Sequence, residues 1–295
     1  MNPDMIFNLV LASFLSALLY VILKSFQHFK INNLQGLSFN YLTASSFAFF
    51  SNYQENMTCF QECEPMFIYA LAIGSLFISV FYIAALTAQH AGITATSIAG
   101  KMSMVIPILF GIWYFNDKIT LLKILGIITA LAAVVLSTIK KEKDPNHHLK
   151  TKLILLLPVL LFFGSGLVDT CIKLSEYYII KPGNQDLFLC FLFGSAGILG
   201  FSAAVITSIK NKISWKLNSL IGGIILGITN YYSLVFLLNF LASPGLESSI
   251  AFAMTNVLVV LFSSVLGILI FKERLSKMNM AGLALAIVSI LILAN

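Results

Sequence analysis

Phe271-Lys272-Glu273-Arg274-Leu275-Ser276 closes one apolar run near the carboxyl end and opens the next, and Phe115-Asn116-Asp117-Lys118-Ile119-Thr120 does the same in the first half. An aromatic, an acid, a base, an aliphatic and a hydroxyl residue keep their order at a separation of 156, and Gly126 and Gly282 keep it too. Upstream, Ser16, Leu18 and Lys24 match Ser165, Leu167 and Lys173 at 149, and Tyr82 matches Tyr232 at 150. The order of elements is therefore duplicated within the chain. The six extra residues of the second copy fall between Tyr232 and Phe271, where Ala242-Ser243-Pro244-Gly245 lengthens a connection.

The composition is 59% hydrophobic and 10% charged, with a mean hydropathy of +0.93. A soluble domain carries about 25% charged residues, so the chain reads as a polytopic membrane protein. Met1 to Met5 lacks a basic leader, so the first apolar run is expected to be retained. About 20 apolar residues cross a hydrocarbon layer as a helix, and ten runs qualify. Five are Met5 to Leu23, Leu34 to Phe50, Met66 to Ala88, Ala91 to Phe115 and Ile119 to Ile139. The others are Leu153 to Ser175, Leu187 to Ser208, Leu217 to Leu241, Ser248 to Phe271 and Met278 to Ala294. The second is the weakest, being short and holding Gln35 and Asn40. None alternates in polarity as barrel strands do.

The fold expected is all-α, with ten transmembrane helices in two repeats, 1–139 and 153–295, joined by a basic linker, 140–152. Five is odd, so the copies lie upside down relative to each other. Inverted repeats of this kind build secondary transporters whose site lies near the midplane.

Lys and Arg collect in cytoplasmic loops. The odd-numbered loops hold thirteen bases, among them Lys24, Lys30, Lys140, Lys212, Lys272 and Arg274, whereas the even ones hold Lys118, Lys123 and Lys181. This count puts the odd loops in the cytoplasm and both termini outside. The net charge of +6 then reads as topology and affinity for anionic lipid, not as a nucleic-acid footprint. Loop two, Ser51 to Pro65, carries Glu55, Glu62 and Glu64 without a base, and an oxidising compartment could pair its Cys59 and Cys63; the alternative is two free thiols. Cys171 and Cys190 read as packing residues.

Ten spans in two halves, an acid after the fourth and ninth (Asp117, Glu273), a hydroxyl three residues on (Thr120, Ser276) and a glycine six further (Gly126, Gly282) resemble the EamA-type members of the drug/metabolite transporter superfamily. Tyr82, Tyr232 and Pro107 fit as well. The resemblance covers nearly the whole chain and implies the fold, with Asp117, Gly126, Glu273, Gly282 and Pro107 as structural motif residues. Its motifs are structural and say little about substrate; the expected cargo is a small polar or amphipathic metabolite such as an amino acid, exported across a bacterial inner membrane. Two departures stand out: members of the family are drawn with both termini in the cytosol, and Ser263 stands where a second proline would match Pro107.

Lys101 lies ten residues into its run, about 15 Å deep at 1.5 Å per residue. A charge at that depth needs a cavity or a partner, which makes an intramembrane Lys a functional candidate; the structural alternative ties it to carbonyls or one acid. Asp169, the acid well inside a span, stands four residues before Lys173 on one helix face. It reads either as a local ion pair or as a proton-coupling group. Asn230, Asn239 and Asn256 lie in apolar helices where amides bond across helices, and Asn256 falls within one residue of the repeat mate of Lys101. Lys101, Tyr82, Asn230, Tyr232 and Asn256 are thus the expected substrate pathway. Gly223 with Gly227, and Gly194, Gly197 and Gly200, mark close helix approaches, and Pro107 is expected to interrupt the fourth span.

The function expected is secondary active transport by alternating access, with no cofactor, no metal and no nucleic-acid partner, in a monomer or weak homodimer. No Walker-type nucleotide loop is present. A flippase for an anionic lipid-linked substrate is the alternative. An integral membrane enzyme is remote, because His28 and His90 stand alone at span ends and His147 and His148 lie in the linker.

Overall fold

The computed structural model describes residues 3–51, 64–114, 120–138, 148–178, 185–241 and 248–293. The helices there are α1 (Pro3–His28), α2 (Asn33–Ser51), α3 (Glu64–His90), α4 (Ile93–Met102), α5 (Val105–Tyr114) and α6 (Leu121–Thr138). They continue as α7 (His148–Tyr178), α8 (Gln185–Lys210), α9 (Leu217–Leu241), α10 (Ser248–Phe271) and α11 (Lys277–Leu293). Among the described residues, six stretches have the length and hydropathy to cross a bilayer: Pro3–His28, Met66–His90, Ile93–Tyr114, Asp186–Lys210, Leu217–Phe240 and Met254–Phe271. Leu121–Leu136, Leu156–Ile172 and Lys277–Ile292 are shorter apolar helices. This is a helical membrane protein.

Its outer faces suit lipid. Trp113 is 77% exposed, Ile209 75% and Leu121 73%, exposures that would be costly in water but not against acyl chains. Hydroxyls on exposed faces are satisfied within their own helix: Ser46 donates to the Leu42 carbonyl (2.9 Å), Ser79 to that of Ser75 (2.9 Å) and Ser202 to that of Ile198 (2.8 Å). That is the requirement hydrocarbon imposes on every polar group.

The chain forms two compact units, each drawing on both 1–139 and 153–295. One unit comprises Met1–Lys24, Ile83–Gly166 and Tyr232–Asn295, and the other Ser25–Tyr82 and Leu167–Tyr231. Each unit takes helices from both halves, because a helix buries its small-residue face against whichever neighbour fits, without regard to chain order. The first unit has a core of Ile98, Met102, Val105, Ala130, Ala133, Phe162, Val260, Ala286 and Ile290. Its helices α6 and α11 are joined by Ser289, whose hydroxyl donates to the Gly126 carbonyl at 2.8 Å.

The second unit packs α2 against α8 and α9. A methyl group on Gly223 would come 2.6 Å from the Gly36 carbonyl, and one on Gly227 2.6 Å from that of Asn40. The expected close approach is therefore real, and its partner is α2. At this crossing Asn230 donates to Asn40 Oδ1 (3.4 Å), with Asn40 fully buried and Asn230 3% exposed. Gln35 donates to Ser208 Oγ at 3.1 Å. Tyr41 is sealed among Phe77, Phe81 and Phe193 and donates to the Phe77 carbonyl at 3.1 Å.

Candidate functional site at a broken helix

The fourth apolar run is not one helix. Pro107 has no N–H for the Ser103 carbonyl four residues back, and its ring crowds that oxygen. The chain answers by ending α4 at Met102 and starting α5 at Val105. The orphaned Ser103 carbonyl accepts instead from the Ile106 N–H at 2.9 Å, and the Ser103 hydroxyl donates to the Gly100 carbonyl at 2.6 Å. Interrupted backbone inside a membrane span is tolerated where protein or a wet cavity surrounds it. Discontinuous helices are also where secondary transporters build their sites.

Lys101 is in the last turn of α4 and half-buried. The carbonyl end of a helix carries partial negative charge, so a cation is favoured there. Other helices of the same unit converge on the break. From α1, Tyr20 reaches Gly100, where a methyl group would sit 2.9 Å from the tyrosine hydroxyl. From α10, Asn256, 9% exposed, places Nδ2 3.6 Å from the Met104 sulfur. From α7, Gly166 lets the backbone close onto Ile106. A phenol from α1 and an amide from α10 thus reach the interrupted backbone that follows Lys101.

Of the residues singled out in the sequence, Lys101, Pro107 and Asn256 lie at this break, and Tyr20, which its long apolar run did not mark, lies beside Gly100. Tyr232 is 40% exposed and packs on Phe236 (6.4 Å between centroids). Tyr82 is half-buried on α3, in the second unit with Asn230. Asp169 lies on an exposed face of α7. Asp117, Cys59, Cys63 and the Lys173 side chain lie outside the described residues. Gly126 and Gly282 are buried in α6 and α11. Cys171 and Cys190 are free thiols, and no metal-binding group occurs among the described residues.

Glu273 has a more definite place than a motif residue suggests. Lys272 adopts a left-handed backbone (φ 51°) after α10, and the Glu273 N–H closes that helix on the Gly267 carbonyl at 3.2 Å. The carboxylate then reaches the start of α4, accepting from the Ile93 N–H at 2.8 Å and the Thr94 hydroxyl at 3.4 Å. It also pairs with Lys24, whose ammonium lies 4.7 Å over the Phe271 ring. Gly92 (φ 102°) and Gly267 make the room: methyl groups there would stand 3.0 and 2.8 Å from the carboxylate oxygens.

No protein-family model matches the chain. It is 28% identical over 290 residues to an uncharacterized protein of Haemophilus influenzae strain Rd, with 96% of each chain covered. A protein of known crystal structure, 11% identical, superposes with a TM-score of 0.64 over 96% of this chain and 95% of that one. At that identity the likeness is one of fold alone: this chain shares its helical architecture, end to end, with a protein already solved.

Proposed function

We propose that this chain is a ten-span secondary active transporter built from two inverted five-helix repeats, similar to the EamA-type drug/metabolite transporters. It moves a small polar or amphipathic metabolite bearing an anionic group. The observation that carries the reading is Lys101 at the end of a helix broken inside a membrane span. A charge at such depth is held for use, and in an alternating-access cycle Lys101 neutralises the substrate's anionic group while Tyr20 and Asn256 frame it. The duplication supports the inverted arrangement. The unit boundaries at Tyr82/Ile83 and Tyr231/Tyr232 fall beside tyrosines that are repeat mates. The ends of the first and ninth runs and the start of the fourth meet at Glu273, as odd-numbered loops on one face would.

The test is uptake or efflux by the purified protein in liposomes against a metabolite extract, with Lys101→Met as the comparison. Truncating one side of a desolvated charge pair costs about 2–5 kcal/mol, so transport should fall at least about thirtyfold with the folded yield unchanged. Lys101→Arg should recover little, because the planar guanidinium does not replace a compact ammonium. Full transport by Lys101→Met would overturn the reading.

A further inference from the structure

The Glu273 carboxylate joins three chain segments that are distant in sequence. It follows α10, receives Lys24 from α1, and caps α4 through the Ile93 N–H and the Thr94 hydroxyl. The helix it caps ends nine residues later at Lys101 and Met102. The pair is mostly withdrawn from solvent, the side chains being 17% (Lys24) and 12% (Glu273) exposed. A buried ion pair contributes little net stability, because desolvating both charges offsets their attraction; its best-attested use is to fix one arrangement among several. Apolar residues would hold these helix ends together as well. A charged pair that also caps a short helix makes a contact that can be given up whole, since both ions regain water when it opens.

We propose that Lys24 and Glu273 form the closing latch of this face of the unit, and that its release frees α4, and with it Lys101, to move on the hinge at Ser103 and Met104. The break at Pro107 uncouples α4 from α5 at one end, and the latch is what holds α4 at the other. The same residue types recur in the other half of the sequence. Gly111, Phe115 and Asp117 stand 156 residues before Gly267, Phe271 and Glu273, and Lys173 stands 149 after Lys24. A transporter that opens alternately to two sides needs one closure for each. Lys24 and Glu273 are the described pair; Asp117 and the Lys173 side chain lie outside the described residues.

The latch rests on the transport reading, yet its test reads accessibility and not transport. In the full chain with its native cysteines replaced by alanine, Thr96→Cys reports on α4 just inside the cap and Ser289→Cys on the α6–α11 contact; both positions are fully buried. Sealed vesicles of each orientation are treated with a membrane-impermeant maleimide. Glu273→Gln keeps an oxygen for the Ile93 N–H but loses the charge, and Lys24→Met leaves the cap in place. Each should speed labelling of Thr96→Cys from one face about tenfold, as a shifted local opening equilibrium does, with Ser289→Cys unchanged; Lys24→Arg should keep the slow rate. Unchanged labelling at Thr96→Cys, equal rises at both positions, or failure of both variants to fold would each overturn the latch. Labelling that responds as expected in a protein that moves no metabolite would leave the latch standing and remove the transport reading.

Discussion

The fourth and ninth apolar runs are repeat counterparts, yet one is broken into α4 and α5 and the other, α10, is continuous from Ser248 to Phe271. Both belong to the same unit and contribute to one core. The difference traces to a single pair of residues 156 apart, Pro107 and Ser263. Proline withdraws an N–H from the Ser103 carbonyl and obstructs it. Serine keeps its N–H, and its hydroxyl turns back to the Val260 carbonyl at 3.0 Å, as that of Ser264 does at 2.8 Å. Where the ladder is broken the chain carries Lys101, and where it is intact Asn256 falls within one residue of the corresponding position. Of two runs that end in the same motif, the one with the proline is discontinuous and the one with the serine is not.

That comparison can be broken from either side. The largest effect should come from moving the proline: Ser263→Pro places a ring deep inside a continuous helix and should lower stability by about 3 kcal/mol or more, read as thermal unfolding in mild detergent. A smaller change would show that α10 is already as yielding as α4 and α5. The reverse substitution, Pro107→Ala, gives the Ser103 carbonyl its helical partner back. One hydrogen bond contributes about 0.5–1.5 kcal/mol net, so stability should rise by that order while transport falls. A variant more stable and equally active would detach the break from function. The smallest effect is expected where α10 ends. Lys272 has a left-handed backbone that glycine adopts without strain, so Lys272→Gly should stabilise by less than about 1 kcal/mol and leave Thr96→Cys labelling unaltered.

The left-handed lysines illustrate what was hidden in the sequence. Lys30, Lys212 and Lys272 each close a helix in the conformation that glycine usually marks, with φ of 53°, 52° and 51°. A reader looking for glycine passes over all three. The hydrogen bonds that close those turns, such as Ile31 N–H to the Phe26 carbonyl at 2.8 Å and Ile213 N–H to that of Ser208 at 2.9 Å, are backbone features that side-chain identity does not announce.

The sequence by itself determined that the chain is helical and lies in a membrane, because apolar runs of helical span length with so few charges have no soluble alternative. The recurrence of the Phe-x-acid-base motif and the interruption at Pro107 were legible too, since they follow from spacing and from covalent chemistry local to the chain. Only the tertiary structure decided that helices from both halves share each compact unit, that Asn230 pairs with Asn40, that Tyr20 comes beside the break, and that Glu273 gathers Lys24 and the start of α4. Glu273 stands 249 residues from Lys24 and 180 from Ile93. Contacts at such separations depend on which small-residue faces let helices approach, and that choice is made by packing in three dimensions rather than by any local pattern.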